Sequence, residues 1–148
     1  MNRLRNCQKY ALFLIYFGFQ IGYASPSNSI AFESMLKVAN EIGDASAQYV
    51  VGHMYATGQG TEKDIQKALI WFKKSANQGH TEAQLSLGKH YMHAKQNRRA
   101  LFWLENAAEG KLAEAHYLIA LMLLNNQGIK KNSQSILKRL LAAAELDY

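Results

Sequence analysis

The five histidines are the side chains in this sequence best suited to chemistry, because imidazole binds metal ions and transfers protons near neutral pH. His53, His90, His93 and His116 fall in or beside segments with helical spacing, and His80 follows the end of such a segment. His90 and His93 are three residues apart and can share a helix face, so a third ligand such as His53 would complete a metal site. A half-buried position for His90 and a frayed helix end for His93 explain the pair without metal. We expect neither a metal ion nor a cofactor.

No nucleophile motif accompanies these histidines in the sequence. Cys7 is the only cysteine, and no serine lies in a G-x-S-x-G motif. The segment Gly58-Gln59-Gly60 lacks the third glycine of a phosphate-binding loop. We therefore predict that the protein is not an enzyme. The alternative is an envelope or cell-wall hydrolase, or a peptidoglycan-binding protein, that uses the histidine pair.

The net charge of +6, from 17 Lys and Arg against 11 Asp and Glu, raises the question of a nucleic-acid partner. The basic residues form scattered dyads with acidic residues close by, and no aromatic side chains are interleaved with them on one element. They are typical of solvated helix faces, so we expect no nucleic-acid partner. The dyads are Lys73-Lys74, Arg98-Arg99, Lys130-Lys131 and Lys138-Arg139.

The N-terminus has the layout of a secretory signal peptide. Arg3, Arg5 and Lys9 precede an apolar stretch over residues 10–23, and Ala24 supplies a small residue for cleavage. We predict a signal peptide over residues 1–24, a cut after Ala24, and a periplasmic or secreted location with no membrane span afterwards. The alternative is an uncleaved membrane anchor, although the stretch is shorter than the roughly 20 residues that span a bilayer.

Cleavage of the signal peptide would change the composition of the mature protein. Removing 24 of 148 residues leaves 124, takes away the only cysteine, and lowers the net charge from +6 to +3. A chain without cysteine suits an oxidising compartment, because it can neither mispair nor cross-link there.

The full sequence has 49% hydrophobic residues and one proline in 148, which favours a helical protein. The chain after residue 24 repeats itself. The spacing predicts one domain over residues 25–148, made of a half-repeat over 30–44 and repeats over 45–80, 81–112 and 113–148. The first two repeats match at Ala47 and Ala83, Gln48 and Gln84, Gly52 and Gly88, Tyr55 and Tyr91, Ala68 and Ala100, and Trp71 and Trp103. The other copies match them at Leu36 and Phe72, Gly43 and Gly79, Ala83 and Ala115, and Leu69 and Leu137.

The sequence of each repeat predicts two helices joined by a turn. Gly58 and Gly60 supply positive φ angles after the first helix, Asp64 caps the second, and Gly79 ends it. The small residues Gly52 and Ala68 would let the two helices approach closely, as Gly88 and Ala100 would in the second repeat. Ala120 and Ile136 in the third repeat should lie further apart.

This pattern resembles the Sel1-like repeat family, relatives of tetratricopeptide repeats. The resemblance implies an all-α solenoid whose concave face binds proteins. The second repeat lacks the loop glycines and the capping Asp, so we expect a tight turn and Asn97 as its substitute cap. The residues that match the signature are Gly52, Tyr55, Gly58, Gly60, Asp64, Ala68, Trp71, Gly79, Gly88, Tyr91, Ala100 and Trp103.

Family geometry places the first helices on the concave side, where their non-core positions form two columns. Tyrosine favours interfaces because it offers both apolar area and a hydroxyl group. Packing between repeats is the alternative role for the same side chains. One predicted binding column is Tyr49, Leu85 and Tyr117, and the other is His53, Lys89 and Leu121.

Two segments near the C-terminus are strongly apolar. Residues 115–124 are apolar nearly all round, so either the terminal helix or a partner covers their second side; we favour the terminal helix. Residues 133–148 form that terminal helix, with an apolar side opposite Lys138-Arg139. The apolar side consists of Ile136, Leu137, Leu140, Leu141 and Ala144.

We therefore predict an exported, non-enzymatic protein-interaction module that docks a partner protein in a preformed groove. In bacteria, small exported relatives serve as periplasmic regulators, and some act as immunity proteins against secreted toxins. The expected partner is accordingly a secreted toxin or an envelope signalling protein.

Overall fold

The computed structural model describes residues 26–125 and 132–146, and this part of the chain folds into seven α-helices without a strand. Each helix packs against the next along the chain, which confirms the all-α solenoid. The predicted signal peptide and residues 126–131, which include the dyad Lys130-Lys131, lie outside the described residues. The helices are α1 (Pro26–Glu41), α2 (Ala45–Thr57), α3 (Ile65–Asn77), α4 (Thr81–His93), α5 (Asn97–Glu109), α6 (Ala113–Leu124) and α7 (Ser133–Glu145).

The hydrophobic core runs along the stack as three neighbouring clusters. The first joins α1, α2 and α3 through residues such as Phe32, Val51 and Trp71. The second joins α3 to α4, and the third joins α5, α6 and α7. Because each cluster draws on helices of successive repeats, the repeats bury their apolar surface against one another.

Local sequence sets the helix ends in the first repeat. The Asp64 carboxylate accepts a hydrogen bond from the Lys67 backbone N–H at 3.0 Å, which confirms the predicted cap and lowers the pKa of Asp64. Asp44 caps α2 in the same way through the Ala47 N–H, at 2.7 Å. Gly58 follows α2 with φ +78°, as its position after the helix predicts.

The predicted cap at Asn97 is wrong. Asn97 is the first residue of α5, and Gln96 occupies the N-cap position without a side-chain cap bond. The Gln96 side-chain oxygen instead accepts a hydrogen bond from the Arg99 guanidinium at 2.8 Å. The turn between α4 and α5 has three residues, which confirms the tight turn expected for the second repeat.

A left-handed residue follows the second helix of each of the first three units. Gly43 has φ +72° and Gly79 has φ +88°, whereas the equivalent residue of the second repeat is Lys111 with φ +62°. A side chain in this conformation costs about 1–2 kcal/mol relative to the right-handed region. The second repeat therefore carries backbone strain that glycine avoids elsewhere.

Close helix approach in the first two repeats depends on small residues. A Cβ at Gly52 would lie 2.6 Å from Phe72 Cδ1, and one at Gly88 would lie 2.6 Å from Leu104 Cδ2. Both distances are too short for carbon atoms, so these glycines are required for packing within the repeat, as predicted. The wider spacing expected between Ala120 and Ile136 stays a prediction.

The terminal helices differ from the prediction in one respect. Most of residues 115–124 are core, because residues such as Ile119 and Met122 are buried in a cluster that includes Ile136 of α7, whereas Tyr117 and Leu124 are exposed. The predicted apolar side of α7 does not lie opposite Lys138, because Lys138 borders the same groove as Leu137 and Leu141, and most of that side is exposed. Leu137, Leu140 and Leu141 are 57%, 37% and 54% exposed, and Ala144 is also exposed. Only α6 packs extensively against α7 in the described chain, so it buries one side of that helix.

The strain at Lys111 yields a direct stability test. We expect Lys111→Gly to raise the free energy of unfolding by about 1 kcal/mol, because glycine adopts positive φ without the Cβ clash. Urea denaturation measures this change. The matched control is the reverse exchange, Gly79→Lys, which should lower stability by a similar amount. Destabilisation by Lys111→Gly would contradict the assignment of strain to this backbone position.

Candidate functional site

A polar contact that the sequence analysis did not assign joins each repeat to the one before it. The buried Gln48 amide lies 3.3 Å from the Gly43 carbonyl and donates to it, and the buried Gln84 amide donates to the Ala76 carbonyl at 3.2 Å. In the third repeat the equivalent residue is His116, whose imidazole interacts with the Ala108 backbone. The recurrence of Gln after Ala in the first two repeats was the signal available in the sequence.

Among the described residues, the glutamine oxygen accepts a hydrogen bond in the first repeat but not in the second. Gln78 donates a hydrogen bond to Gln48 Oε1 at 2.8 Å. The equivalent of Gln78 in the second repeat is Gly110, where an added Cβ would collide with the Thr81 methyl group. Among the described residues, Gln84 Oε1 therefore has no hydrogen-bond partner.

We number the junctions between successive units along the chain. The third junction, between the second and third repeats, contains charged side chains, whereas the first two are joined by neutral glutamines. His116 Nδ1 lies 3.3 Å from Arg139 Nη1, and Arg139 Nη2 lies 3.5 Å from Glu105 Oε1. Burial lowers the pKa of His116, the Arg139 charge lowers it further, and the hydrogen bond to Ala108 acts in the opposite direction. The folded protein therefore favours neutral imidazole at this junction.

The two predicted binding columns are only partly open to solvent. The Tyr49 ring stacks at 4.8 Å on His80, the N-cap residue of α4, the first helix of the next repeat, and Leu85 packs against the third core cluster. Lys89 pairs with Glu114 at 2.5 Å. These three side chains thus contribute to packing between repeats. His53 and Tyr117 are exposed, and Leu121 is half-buried.

His80 has a structural role that the sequence analysis missed. Its Nδ1 accepts a hydrogen bond from the Ala83 backbone N–H at 3.4 Å and so caps α4. The His80 ring also stacks on the Tyr49 ring. The centroid of the Tyr49 ring lies 5.7 Å from that of the Phe72 ring as well. His80, which caps the first helix of the second repeat, therefore also holds Tyr49, a predicted binding residue of the first repeat, in place.

Tyr49 and His53 meet in an apolar groove of about 400 Å³ between α1 and α2. The two rings are 6.4 Å apart. Their neighbours in the groove are mostly apolar, with two flexible methionines that adapt to irregular ligands. Leu85, Lys89, Tyr117 and Leu121 do not line it. The other lining residues are Ala31, Met35, Val50, Met54 and Gln59.

The groove at the first junction is apolar, whereas the equivalent positions at the second junction, between α3 and α4, are polar. Ala31 of α1 is equivalent to Lys67 of α3, and Val50 of α2 is equivalent to Ser86 of α4. Both Ala31 and Val50 are exposed. Since buried packing does not require apolar residues at exposed positions, the first junction presents a surface suited to an external apolar group.

The other histidines do not assemble a metal centre with these residues. His90 is half-buried and His93 ends α4 in an exposed position. Across residues 26–125 and 132–146, no three His, Cys, Asp or Glu side chains are placed to hold a metal ion. Nor is any helix of that part long and apolar enough to cross a bilayer.

The repeats and the solenoid place the chain in a known family. The Sel1 repeat model matches residues 45–80, 81–112 and 113–135, and the chain belongs to the Sel1 repeat family. Sel1 repeat proteins are generally protein–protein interaction modules, and their fold is typically a non-enzymatic scaffold.

Relatives share this repeat region within much longer proteins. The chain is 32% identical over 100 residues to Sel1-like repeat-containing protein L21 of Acanthamoeba polyphaga mimivirus, covering 68% of this chain and 19% of that protein. It is 29% identical over 100 residues to chitin synthase regulatory factor 3 of Schizosaccharomyces pombe, covering 63% of this chain and 11% of that protein. The chain thus spans less than a fifth of these relatives.

Two crystal structures have the same fold. A Sel1 repeat protein from Oxalobacter formigenes superimposes with a TM-score of 0.76 and 26% identity, over 82% of this chain and 51% of that one. The protective antigen c5321 of uropathogenic Escherichia coli strains, which displays an SLR fold, gives 0.72 and 32% identity, over 77% and 25%.

The lowered pKa of His116 predicts a pH-dependent third junction. Below its ordinary pKa of about 6.5, unfolded His116 takes up a proton that the folded protein resists, so its stabilising contribution is present above that pH and lost below it. His116→Gln, which installs the residue of the other two repeats, should make stability less dependent on pH between about 7.5 and 5.5. Urea denaturation at a series of pH values compares the two proteins. Parallel losses of stability in both would contradict a role for His116.

Proposed function

We propose that this protein is a non-enzymatic interaction module whose groove between α1 and α2 receives an apolar side chain of a partner protein. The observation that carries the proposal is the apolar groove of about 400 Å³ at the first junction. A preformed cavity of this kind suits an aliphatic or aromatic anchor, the type of side chain that dominates binding energy at interfaces.

Three side chains of the groove supply the polar contacts that orient such an anchor. The Tyr49 ring, the His53 imidazole and the Gln59 amide all line it. A hydroxyl, an imidazole and an amide together offer donors and acceptors to the backbone of a docked segment. Stacking of Tyr49 on His80 holds the ring in place before binding, which reduces the entropy lost on association.

The partner we expect is a secreted toxin, which this protein would neutralise, or an envelope signalling protein, which it would regulate. Both possibilities rest on the signal-peptide layout of residues 1–24 and on the interaction role of the family. Neither requires a catalytic group in the chain.

The groove is tested by exchanging its exposed apolar residues for those of the second junction. Ala31→Lys with Val50→Ser should abolish partner capture, because a charged and a polar group then occupy the apolar surface. Both positions are exposed, so helicity and stability should change little. The measurement is affinity capture from an envelope extract with wild-type and variant bait, followed by mass spectrometry.

A matched control changes exposed apolar residues outside the groove. Val38→Lys with Ile70→Ser alters side chains that are 38% and 56% exposed and do not line the cavity. This control should recover the same partner as the wild type. Equal recovery by the groove variant, or loss of the partner with the control, would place the interface elsewhere.

Export is a second element of the proposal and has its own test. We expect the protein recovered from the periplasmic or secreted fraction to begin at Ser25, because Ala24 ends a signal peptide. Cell fractionation with intact-mass measurement determines this. A full-length protein in the membrane fraction would instead identify residues 10–23 as an anchor.

A further inference from the structure

The outer face of α7 is a second apolar surface, separate from the groove. Leu137 is 57% exposed, whereas its equivalents Leu69 and Leu101 are half-buried. Leu140 is exposed, although its equivalents Phe72 in α3 and Leu104 in α5 are buried. In α3 and α5 that position is covered by the first helix of the following repeat, which supplies residues to the same core cluster. No helix covers it in the described part of this chain, so α7 retains the apolar face of an internal helix.

One residue of this face goes beyond the repeat pattern. Leu141 is 54% exposed, whereas its equivalents are Lys73 in α3 and Glu105 in α5, both exposed and charged. Stacking of a further repeat does not require leucine at this position. An apolar residue that replaces a charged one on the surface indicates an interface of a different kind.

Charged residues beside Leu141 are self-complementary. Leu137, Leu141, Lys138 and Glu145 border one shallow groove of about 520 Å³. Within the described residues, neither Lys138 nor Glu145 has an ion-pair partner. The neighbouring Arg139 is different, because it points to His116 and Glu105. Lys138 and Glu145 are seven residues apart, or two helical turns, so they lie on the same side of α7.

We propose that α7 is a self-association surface, on which a second copy of this chain docks antiparallel about a twofold axis near Leu141. In this arrangement Lys138 of each copy faces Glu145 of the other, so one pair of complementary charges is formed twice. Leu137 and Leu141 of both copies supply the apolar centre. A single helix pair of about three turns is small for an interface, so the dimer is weak and reversible.

The charge pairing is tested by reversal and complementation in the purified protein. Lys138→Glu places Glu against Glu at both symmetric contacts, and Glu145→Lys places Lys against Lys. Each variant alone should raise the dimer dissociation constant about tenfold or more, since two exposed pairs change from attraction to repulsion. An equimolar mixture of the two variants should dimerise like the wild type, because both contacts in the mixed dimer are again Lys against Glu.

Sedimentation equilibrium over a concentration series measures the association, and circular dichroism confirms that α7 stays folded. Leu141→Glu should also abolish association. Ile70→Glu should leave association unchanged, because Ile70 is an equally exposed aliphatic residue that lies on α3. A monomeric wild type at all concentrations, a mixture that fails to recover, or a Leu141→Glu variant that still dimerises would overturn the proposal. Loss of association in Ile70→Glu would do so as well, because it would move the interface to α3.

Discussion

Each two-helix repeat depends on its neighbour to bury its apolar face, and the rest of the molecule follows from that dependence. The buried glutamines of the first two repeats show it at atomic scale. Gln48 and Gln84 both reach back to a carbonyl at the end of the preceding unit. Apolar contact supplies most of the burial between repeats, and these hydrogen bonds tie each unit to the one before it.

The three junctions between successive units are held by different polar groups. The first satisfies both ends of the glutamine amide, the second leaves Gln84 Oε1 without a partner among the described residues, and the third replaces glutamine by His116. Lys111 adds backbone strain next to the third junction. Stability is therefore unevenly distributed along the stack. The first junction, whose glutamine amide is hydrogen-bonded at both ends, is also the one that carries the apolar groove.

Features that depend on a few neighbouring residues were predictable from the sequence. The Asp64 cap, the left-handed Gly58 and the close approach at Gly52 each follow from one side chain or its absence. The exposure of α7 was not predictable, because its leucines have the spacing of a buried face and only the absence of a covering helix in the described chain exposes them. The groove was also missed, since its lining combines Met35 of α1 with Tyr49 of α2.

Hydrogen exchange of the protein with and without its captured partner tests the central claim most directly. If the groove between α1 and α2 is the binding site, partner binding should slow exchange most in these two helices and in the turn that contains Gln59. The region around Leu85 and Tyr117 should change little, because neither residue lines the groove. Slowed exchange confined to α4 and α6, with α1 and α2 unchanged, would contradict the account.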